Sequence, residues 1–180
     1  MLGGGNTAMD AAMTAKHLGA RDVYVVYRRS FQEMPAWDEE RNACLAEGIH
    51  FLVLSQPINY ETDDKGTLTG LRVARTELGE EDSSGRRKPN VIAGSEDTLP
   101  VGLVIEALGQ RVDARVKEAL KKLHWTDGGL LETRKGTQRT SQDNVFAGGD
   151  IVNGGTTAVQ GIADGMKAAE EIDTFLRDAQ

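Results

Sequence analysis

A chain of 180 residues, 39% of them hydrophobic, can form one medium-sized domain or one domain plus part of another, and it has no apolar run near the roughly 20 residues that span a membrane. The formal net charge of −7 disfavours nucleic acid as a partner, and the single cysteine, Cys44, excludes a disulfide framework or a cysteine-ligated cluster within the chain. The histidines lack metal-ligand spacing and the start lacks a signal-peptide pattern, so we expect a cytoplasmic chain without a metal, membrane or nucleic-acid site.

The first half of the chain predicts a strand, a helix and a second strand. Small apolar residues spaced by three and four predict the helix over residues 6–18, and the β-branched and aromatic run at 23–27 predicts a buried strand. Only Met1 and Leu2 precede the glycine cluster, whereas strands usually have about five residues, so the first strand is a stub. A second helix and a further strand are predicted over residues 37–47 and 49–54.

The second half predicts a hairpin followed by helices and short strands. Apolar alternation around Leu71 and Val91, with a polar loop over residues 79–90, predicts a hairpin with an exposed tip. The later predictions are an apolar strand, an amphipathic helix, a short strand and a last helix, over residues 101–108, 112–123, 144–147 and 157–176. No residue is an evident acid, base or nucleophile, so no catalytic residue is assigned.

The glycine cluster before the first helix fits the pattern G-x-G-x-x-A. In this pattern Gly3 allows a tight turn, Gly5 lets the backbone approach a pyrophosphate, and Ala8 packs the helix closely on the sheet. The helix N-terminus then offers free amides and a positive dipole end to phosphates. The pattern predicts a dinucleotide site; the alternative is a glycine turn with a structural role only.

Two arginines after the second strand indicate which dinucleotide is bound. A site for NAD has an acidic residue here that holds the ribose hydroxyl, whereas this sequence has Arg28 and Arg29. Guanidinium groups are planar, always charged and donate in pairs, which suits a 2′-phosphate and favours NADPH. The alternative is that these arginines only pair with nearby acids such as Glu33 and Glu40.

A second glycine-rich stretch lies at residues 148–157. Asp150 follows two glycines at the end of a predicted short strand, where its carboxylate could accept hydrogen bonds from sugar-like hydroxyls. Gly155, Thr156 and Thr157 then open the last helix, whose N-terminus attracts electron-rich groups. A flavin fits both features, and a simple turn in which Asp150 acts as a cap fits them equally well.

Several of these motifs together resemble the glutamate synthase small-subunit family of NADPH-dependent oxidoreductases. The resemblance rests on the motifs at residues 3–10, 27–29, 34–36, 106–110 and 145–150, which occur in this order. It covers nearly the whole chain, and relatives of the family include the N-terminal part of dihydropyrimidine dehydrogenase. In the family, NADPH reduces FAD by hydride transfer, and the electrons leave through iron–sulfur clusters.

The resemblance implies an α/β fold with two parts. Residues 1–110 would form a Rossmann-like NAD(P)-binding domain, three-layered, with a parallel sheet plus an antiparallel hairpin, and residues 111–180 the C-terminal part of an FAD-binding domain. The residues implied to bind NADPH are Gly3, Gly4, Gly5, Asn6, Thr7, Arg28 and Arg29. Those implied at the domain crossover or near the flavin are Gly109, Gly149, Asp150, Gly155, Thr156 and Thr157.

The family pattern also contains parts that this sequence lacks. The first FAD fingerprint and the cluster cysteines lie upstream in the family, so we expect a fragment that does not bind FAD tightly alone. Its expected partner is a larger oxidoreductase subunit or an upstream domain with FAD and iron–sulfur clusters. A second interpretation is a non-catalytic nucleotide-binding or electron-transfer module that works only within a complex. The stub strand also suggests a homodimer formed by pairing of open sheet edges.

Overall fold

The computed structural model describes residues 1–81 and 85–178, so the centre of the predicted hairpin tip lies outside the described residues. The chain divides into two compact units, Met1–Gly109 and Gln110–Gln180. Within the described ranges, no helix combines the length and the apolar character needed to cross a membrane.

A small parallel sheet forms the centre of the first unit. Strands β1 (Tyr24–Val26) and β2 (His50–Leu52) pair in parallel. The stub strand contributes Leu2, which forms parallel bridges to Val26 on one side and to Glu106 on the other. The predicted parallel sheet is confirmed, and Leu2 is its central, fully enclosed residue.

Two helices and a short 3-10 turn accompany this sheet. Helices α1 (Asn6–His17) and α2 (Asp38–Ala46) contact each other, and the turn spans Phe31–Glu33. The buried face of α1 is made of small or flexible residues, which let the helix lie close to its neighbours. The core of this part contains Ala8, Met9, Ala12, Val25 and Cys44, none of which has exposed surface.

An antiparallel sheet completes the first unit. Its path is β3 (Ser55–Thr62), β4 (Leu68–Glu81) and β5 (Arg87–Val91), and β6 (Asp97–Leu99) also pairs with β4. Strands β4 and β5 confirm the predicted hairpin. The sequence pattern did not predict β3, because Pro57 suggested the end of a strand. Pro57 lies where the register shifts in a bulge, which is where a strand tolerates a residue without an amide hydrogen.

The apolar stretch at residues 101–108 is extended for only part of its length. It contacts the stub through two hydrogen bonds, from the Leu2 amide to the Ile105 oxygen and from the Ala107 amide to the Leu2 oxygen. The predicted strand is therefore reduced to the single bridge at Glu106. A two-residue neighbour cannot form a longer ladder.

Over residues 110–178, the second unit contains three helices joined by turns. They are α3 (Ala114–Ala119), α4 (Asp150–Asn153) and α5 (Ala158–Asp178). Helix α3 is shorter than predicted at both ends; its beginning is fixed by the Asp113 side chain, which accepts from the Arg115 amide. The strand predicted at 144–147 is only one bridge, from Phe146 to Arg139, since the Thr140 hydroxyl and amide both bond to Val145 and close a tight turn there.

Candidate functional site

Gly3 forms the turn between the stub strand and α1. Its φ is +128°, a conformation that residues with a side chain rarely adopt. A Cβ atom at Gly3 would also lie 2.3 Å from the carbonyl oxygen of Ala107, which is shorter than any real contact. Gly4 is close-packed too, against the ring of Tyr27. The turn therefore depends on the absence of side chains.

The beginning of α1 has the features of an anion site. The helix starts after Gly5, whose backbone is extended and whose missing side chain leaves open space. The Asn6 side chain does not cap the helix, since its Oδ1 accepts from the Trp37 amide at 2.9 Å. No acidic residue lies in the first turn, and the first amides of a helix have no intrahelical acceptor. A phosphate group fits this helix start, around Gly3, Gly4, Gly5, Asn6 and Thr7.

The two arginines after β1 lie in different environments. Arg28 is exposed, and its side chain makes no hydrogen bond or ion pair within the described residues. Arg29 is only 5% exposed, and its Nε donates to the carbonyl oxygen of Arg87 at 2.7 Å. The backbone of this segment is fixed as well, because the Thr76 hydroxyl donates to the Arg28 oxygen at 2.8 Å.

Glu33 connects this segment to strand β5. The Ser30 amide donates to the Glu33 carboxylate and the Ser30 hydroxyl accepts from the Gln32 amide, as in a capping box at the start of the 3-10 turn. The same hydroxyl also donates to the Glu33 carboxylate. The Arg87 guanidinium forms an ion pair with the same carboxylate at 2.6 Å. The Ser30 hydroxyl, helped by Arg87, keeps the pKa of Glu33 below its ordinary value, although burial acts in the opposite direction.

In the second unit, Gly149 and Asp150 lie at the turn into α4. Gly149 has a φ of +72°, and Asp150 is the first residue of the helix. The Asp150 side chain is exposed, and it makes no hydrogen bond or ion pair within residues 1–81 and 85–178. A carboxylate in this state can accept hydrogen bonds from ligand hydroxyls, as the sugar-like chain of a flavin would require.

The start of α5 lies beside Asp150. A Cβ atom at Gly155 would lie 4.0 Å from an Asp150 carboxylate oxygen, so these two predicted residues are neighbours. Thr156 and Thr157 are exposed, and the Thr157 hydroxyl accepts from the Gln160 amide at 3.2 Å. Thr157 therefore caps α5 itself, and this bond already uses one of the helix-start amides that a ligand could otherwise contact.

Asp164 organises this turn, and the sequence analysis missed it. Its carboxylate accepts from the Gly149 amide at 2.9 Å, from the Asn153 side chain at 3.0 Å and from the Gln160 side chain at 2.8 Å. The bonds from Gln160 and Gly149 keep the pKa of Asp164 below its ordinary value. Its spacing from Ile162 and Met166 places Asp164 on the face of the last helix opposite the apolar residues, so the apolar periodicity gave no signal for it.

The remaining predicted residue, Gly109, ends the first unit. It has a φ of +94° and open space around its missing side chain. It lies two residues after Ala107, whose carbonyl faces Gly3, so its segment begins beside the glycine turn. Glu33 was considered only as a partner of Arg28 or Arg29, and Arg87 was not considered, because nothing in their local patterns indicates a pairing 54 residues apart.

Comparison with solved structures shows the fold. Thioredoxin reductase from T. acidophilum matches with a TM-score of 0.76 at 18% identity, covering 99% of this chain and 52% of that one. Mycobacterium tuberculosis FprA in complex with NADPH matches with a TM-score of 0.71 at 18% identity, with the same coverage of both chains. The chain thus has the α/β fold of a thioredoxin reductase-like oxidoreductase.

Sequence comparison then shows the family. The model of the pyridine nucleotide-disulphide oxidoreductase family matches residues 1–165, and the chain belongs to that family. It is 42% identical to the NADP(+)-dependent formate dehydrogenase subunit beta of Moorella thermoacetica and 37% identical to the glutamate synthase [NADPH] small chain of Escherichia coli, over 98% of its own length. The predicted resemblance to glutamate synthase small subunits is confirmed. The chain spans 25% and 38% of the length of these two relatives.

Proposed function

We propose that this chain is the NADPH-binding part, with a flavin-contacting segment, of an NADPH-dependent flavoprotein oxidoreductase. The observation that carries the proposal is the start of α1, where Gly5 leaves open space before free helix amides and the exposed Arg28 follows the adjacent strand. An uncapped helix end attracts a pyrophosphate, and an available guanidinium attracts a 2′-phosphate. Family membership and relatives named for NADP(+) and NADPH support the same conclusion.

The residues of the chain would bind and orient the cofactors rather than exchange protons with a substrate. Gly3 sets the path of the turn, the amides after Gly5 hold the pyrophosphate, and Arg28 binds the 2′-phosphate; Arg29 stays a predicted second contact. Asp150 and the start of α5 would hold the ribityl chain and the ring of FAD. When bound, these cofactors supply the redox chemistry: NADPH gives a hydride, and FAD accepts it.

The partner is proposed to be a larger subunit or a further domain that carries the rest of the FAD site and iron–sulfur clusters. The chain spans only 25–42% of relatives such as the formate dehydrogenase subunit and the small chains named for glutamate synthase. A segment of that size corresponds to part of a larger electron-transfer protein. The final electron acceptor would be set by that partner.

The alternative function is a nucleotide-binding or electron-transfer module without turnover of its own. The exposed Asp150 and the exposed α5 start favour it for the chain alone, because a flavin needs an enclosing pocket for its ring. The two functions make different predictions for one assay, which measures NADPH oxidation by an artificial electron acceptor with and without added FAD.

Our expected result is saturable binding of NADPH to the chain, followed through nicotinamide fluorescence, with NADH binding more weakly. NADPH oxidation that appears only with added FAD supports the oxidoreductase, and binding without oxidation supports the module. A titration in which NADPH gives no signal would overturn both.

A further inference from the structure

Strand β5 is attached to the segment that follows β1. The Arg29 Nε donates to the Arg87 carbonyl oxygen at 2.7 Å, and the Thr76 hydroxyl of the neighbouring strand donates to the Arg28 oxygen at 2.8 Å. The Leu54 amide donates to the Arg29 oxygen at 3.0 Å. These bonds fix Arg87 next to the predicted phosphate-binding segment, although it lies 58 residues away in sequence.

The Arg87 guanidinium is oriented by one carboxylate. Its Nε and Nη2 both reach the same oxygen of Glu33, at 2.8 and 2.6 Å. The Glu33 side chain is 7% exposed, whereas the Arg87 side chain is 43% exposed. A guanidinium has five N–H donors, so bonding to Glu33 leaves donors on its exposed part.

We propose that Arg87 is a second guanidinium that binds the 2′-phosphate of NADPH, and that Glu33 is the residue that positions it. This inference rests on the proposed function and adds a specificity residue to the same site. Arg28 and Arg87 come from two different elements, which suits a dianion that accepts hydrogen bonds from several directions. The Ser30 amide and hydroxyl donate to one Glu33 oxygen, and the Arg87 guanidinium offsets the charge at the other while its remaining donors stay available to the phosphate.

The arrangement also explains why an acidic residue is compatible with this site. Arg28 lies two residues after β1, at the strand end where an NAD site has its acid. Glu33 lies further on and faces the hairpin, where it is bonded on two sides. Its carboxylate therefore acts on the cofactor only through the guanidinium that it holds.

The test compares two probes that differ only in the 2′-phosphate, adenosine 2′,5′-bisphosphate and adenosine 5′-monophosphate. Both are titrated against the full chain and against Arg87→Ala, Glu33→Gln and the matched control Lys88→Ala, which removes an exposed cation from the same strand. We expect Arg87→Ala to weaken bisphosphate binding about tenfold and to change monophosphate binding less than about twofold. Glu33→Gln should weaken the bisphosphate about threefold, and Lys88→Ala should change neither probe.

An equal loss for both probes in Arg87→Ala would show that Arg87 only fastens the hairpin, and it would overturn the inference. Arg87→Lys keeps the positive charge but lacks the planar guanidinium. It should therefore restore part of the preference for the bisphosphate over the monophosphate. If Arg87→Ala unfolds, Arg87→Lys takes its place, provided that its melting temperature is unchanged. The quantity compared is then the ratio of the bisphosphate affinity to the monophosphate affinity in Arg87→Lys and in wild type. Wild-type protein that binds neither NADPH nor the bisphosphate overturns the proposed function itself. Wild-type protein that prefers the bisphosphate while Arg87→Ala and Arg87→Lys keep the same preference overturns only the role of Arg87.

Discussion

Gly3 and Gly5 illustrate how two glycines of one motif differ in what they do. Gly3 combines a φ of +128° with a backbone oxygen 2.3 Å from where its Cβ would lie, so its missing side chain is needed for the fold. Gly5 has a φ of −91° and nothing within 4 Å of that point, so the fold itself would accept a side chain there. Packing therefore does not require glycine at this position, and we propose that a ligand uses the open space at Gly5.

This difference predicts opposite results for two alanine variants. Gly3→Ala should lower the free energy of unfolding by more than about 2 kcal/mol, because of backbone strain and the clash with Ala107. Gly5→Ala should change it by less than about 1 kcal/mol, while weakening NADPH binding about tenfold by occupying the space before the helix amides. Urea unfolding and NADPH titration measure the two effects. Normal NADPH binding by Gly5→Ala would contradict the assigned position of the pyrophosphate.

Sequence alone indicated Arg28 and Arg29 as an equivalent pair, and the structure distinguishes them. Both are cations directly after a strand, and burial of one of them depends on where the distant hairpin packs. The ion pair between Arg87 and Glu33 could not be predicted for the same reason, because it joins two elements that are distant in sequence. The glycine turns before α1 and α4 could be predicted because their signal is local, and the cofactor roles of their residues stay predictions. Asp164 contacts the second turn only because the chain brings α5 beside Gly149.

At the scale of elements, the 3-10 turn after β1 joins the parallel sheet to the hairpin through Glu33. Its capping box closes the turn, and its ion pair reaches β5. Since the pKa of Glu33 is lowered in the folded chain, the charged carboxylate stabilises the fold. That contribution is present above its ordinary value of 4.5 and is lost as pH falls through the lowered pKa.

The expected outcome is a stability difference between wild type and Glu33→Gln that depends on pH. At pH near 7 the variant should be about 1 kcal/mol less stable, because it loses a half-exposed ion pair to Arg87 and a charge-assisted bond to Ser30. The difference should shrink as pH falls below 4.5. Urea unfolding at several pH values measures it, and the exposed Glu96→Gln serves as control. A difference that stays constant into acid would contradict the ionic role of Glu33.

Elements that are determined by their own sequence were predicted well, and elements that depend on a pairing strand were not. Helix α1 and strand β1 follow from periodicity and β-branched residues, so their predicted bounds lie within a residue or two of the observed ones. Strand β3 was missed because a bulge accommodates Pro57, and a bulge is set by the pairing strand. The stretch at 101–108 was overpredicted because its apolar residues say nothing about the two-residue stub that it pairs with.

At the scale of the whole molecule, the two units differ in how much of a ligand site each contributes. The first unit contains the glycine turn, the helix amides and the arginine segment together. The second unit contributes a turn with an exposed carboxylate and the helix α5, whose apolar residues at steps of three and four are exposed, including Val159, Ile162, Met166 and Leu176. We therefore expect a more complete site for NADPH than for FAD.

The last prediction concerns flavin binding by the chain alone. We expect purified protein to carry no stoichiometric flavin, and added FAD to bind weakly, because a flavin ring needs an enclosing pocket whereas Asp150 and the start of α5 are exposed. Flavin absorbance after gel filtration, with NADPH titration of the same sample as a positive control, measures both properties. Asp150→Ala should leave NADPH binding unchanged and weaken any residual FAD binding. A yellow protein with one flavin per chain would show instead that this chain forms a complete FAD site, and that the missing enclosure comes from a second copy or from a rearrangement of α5.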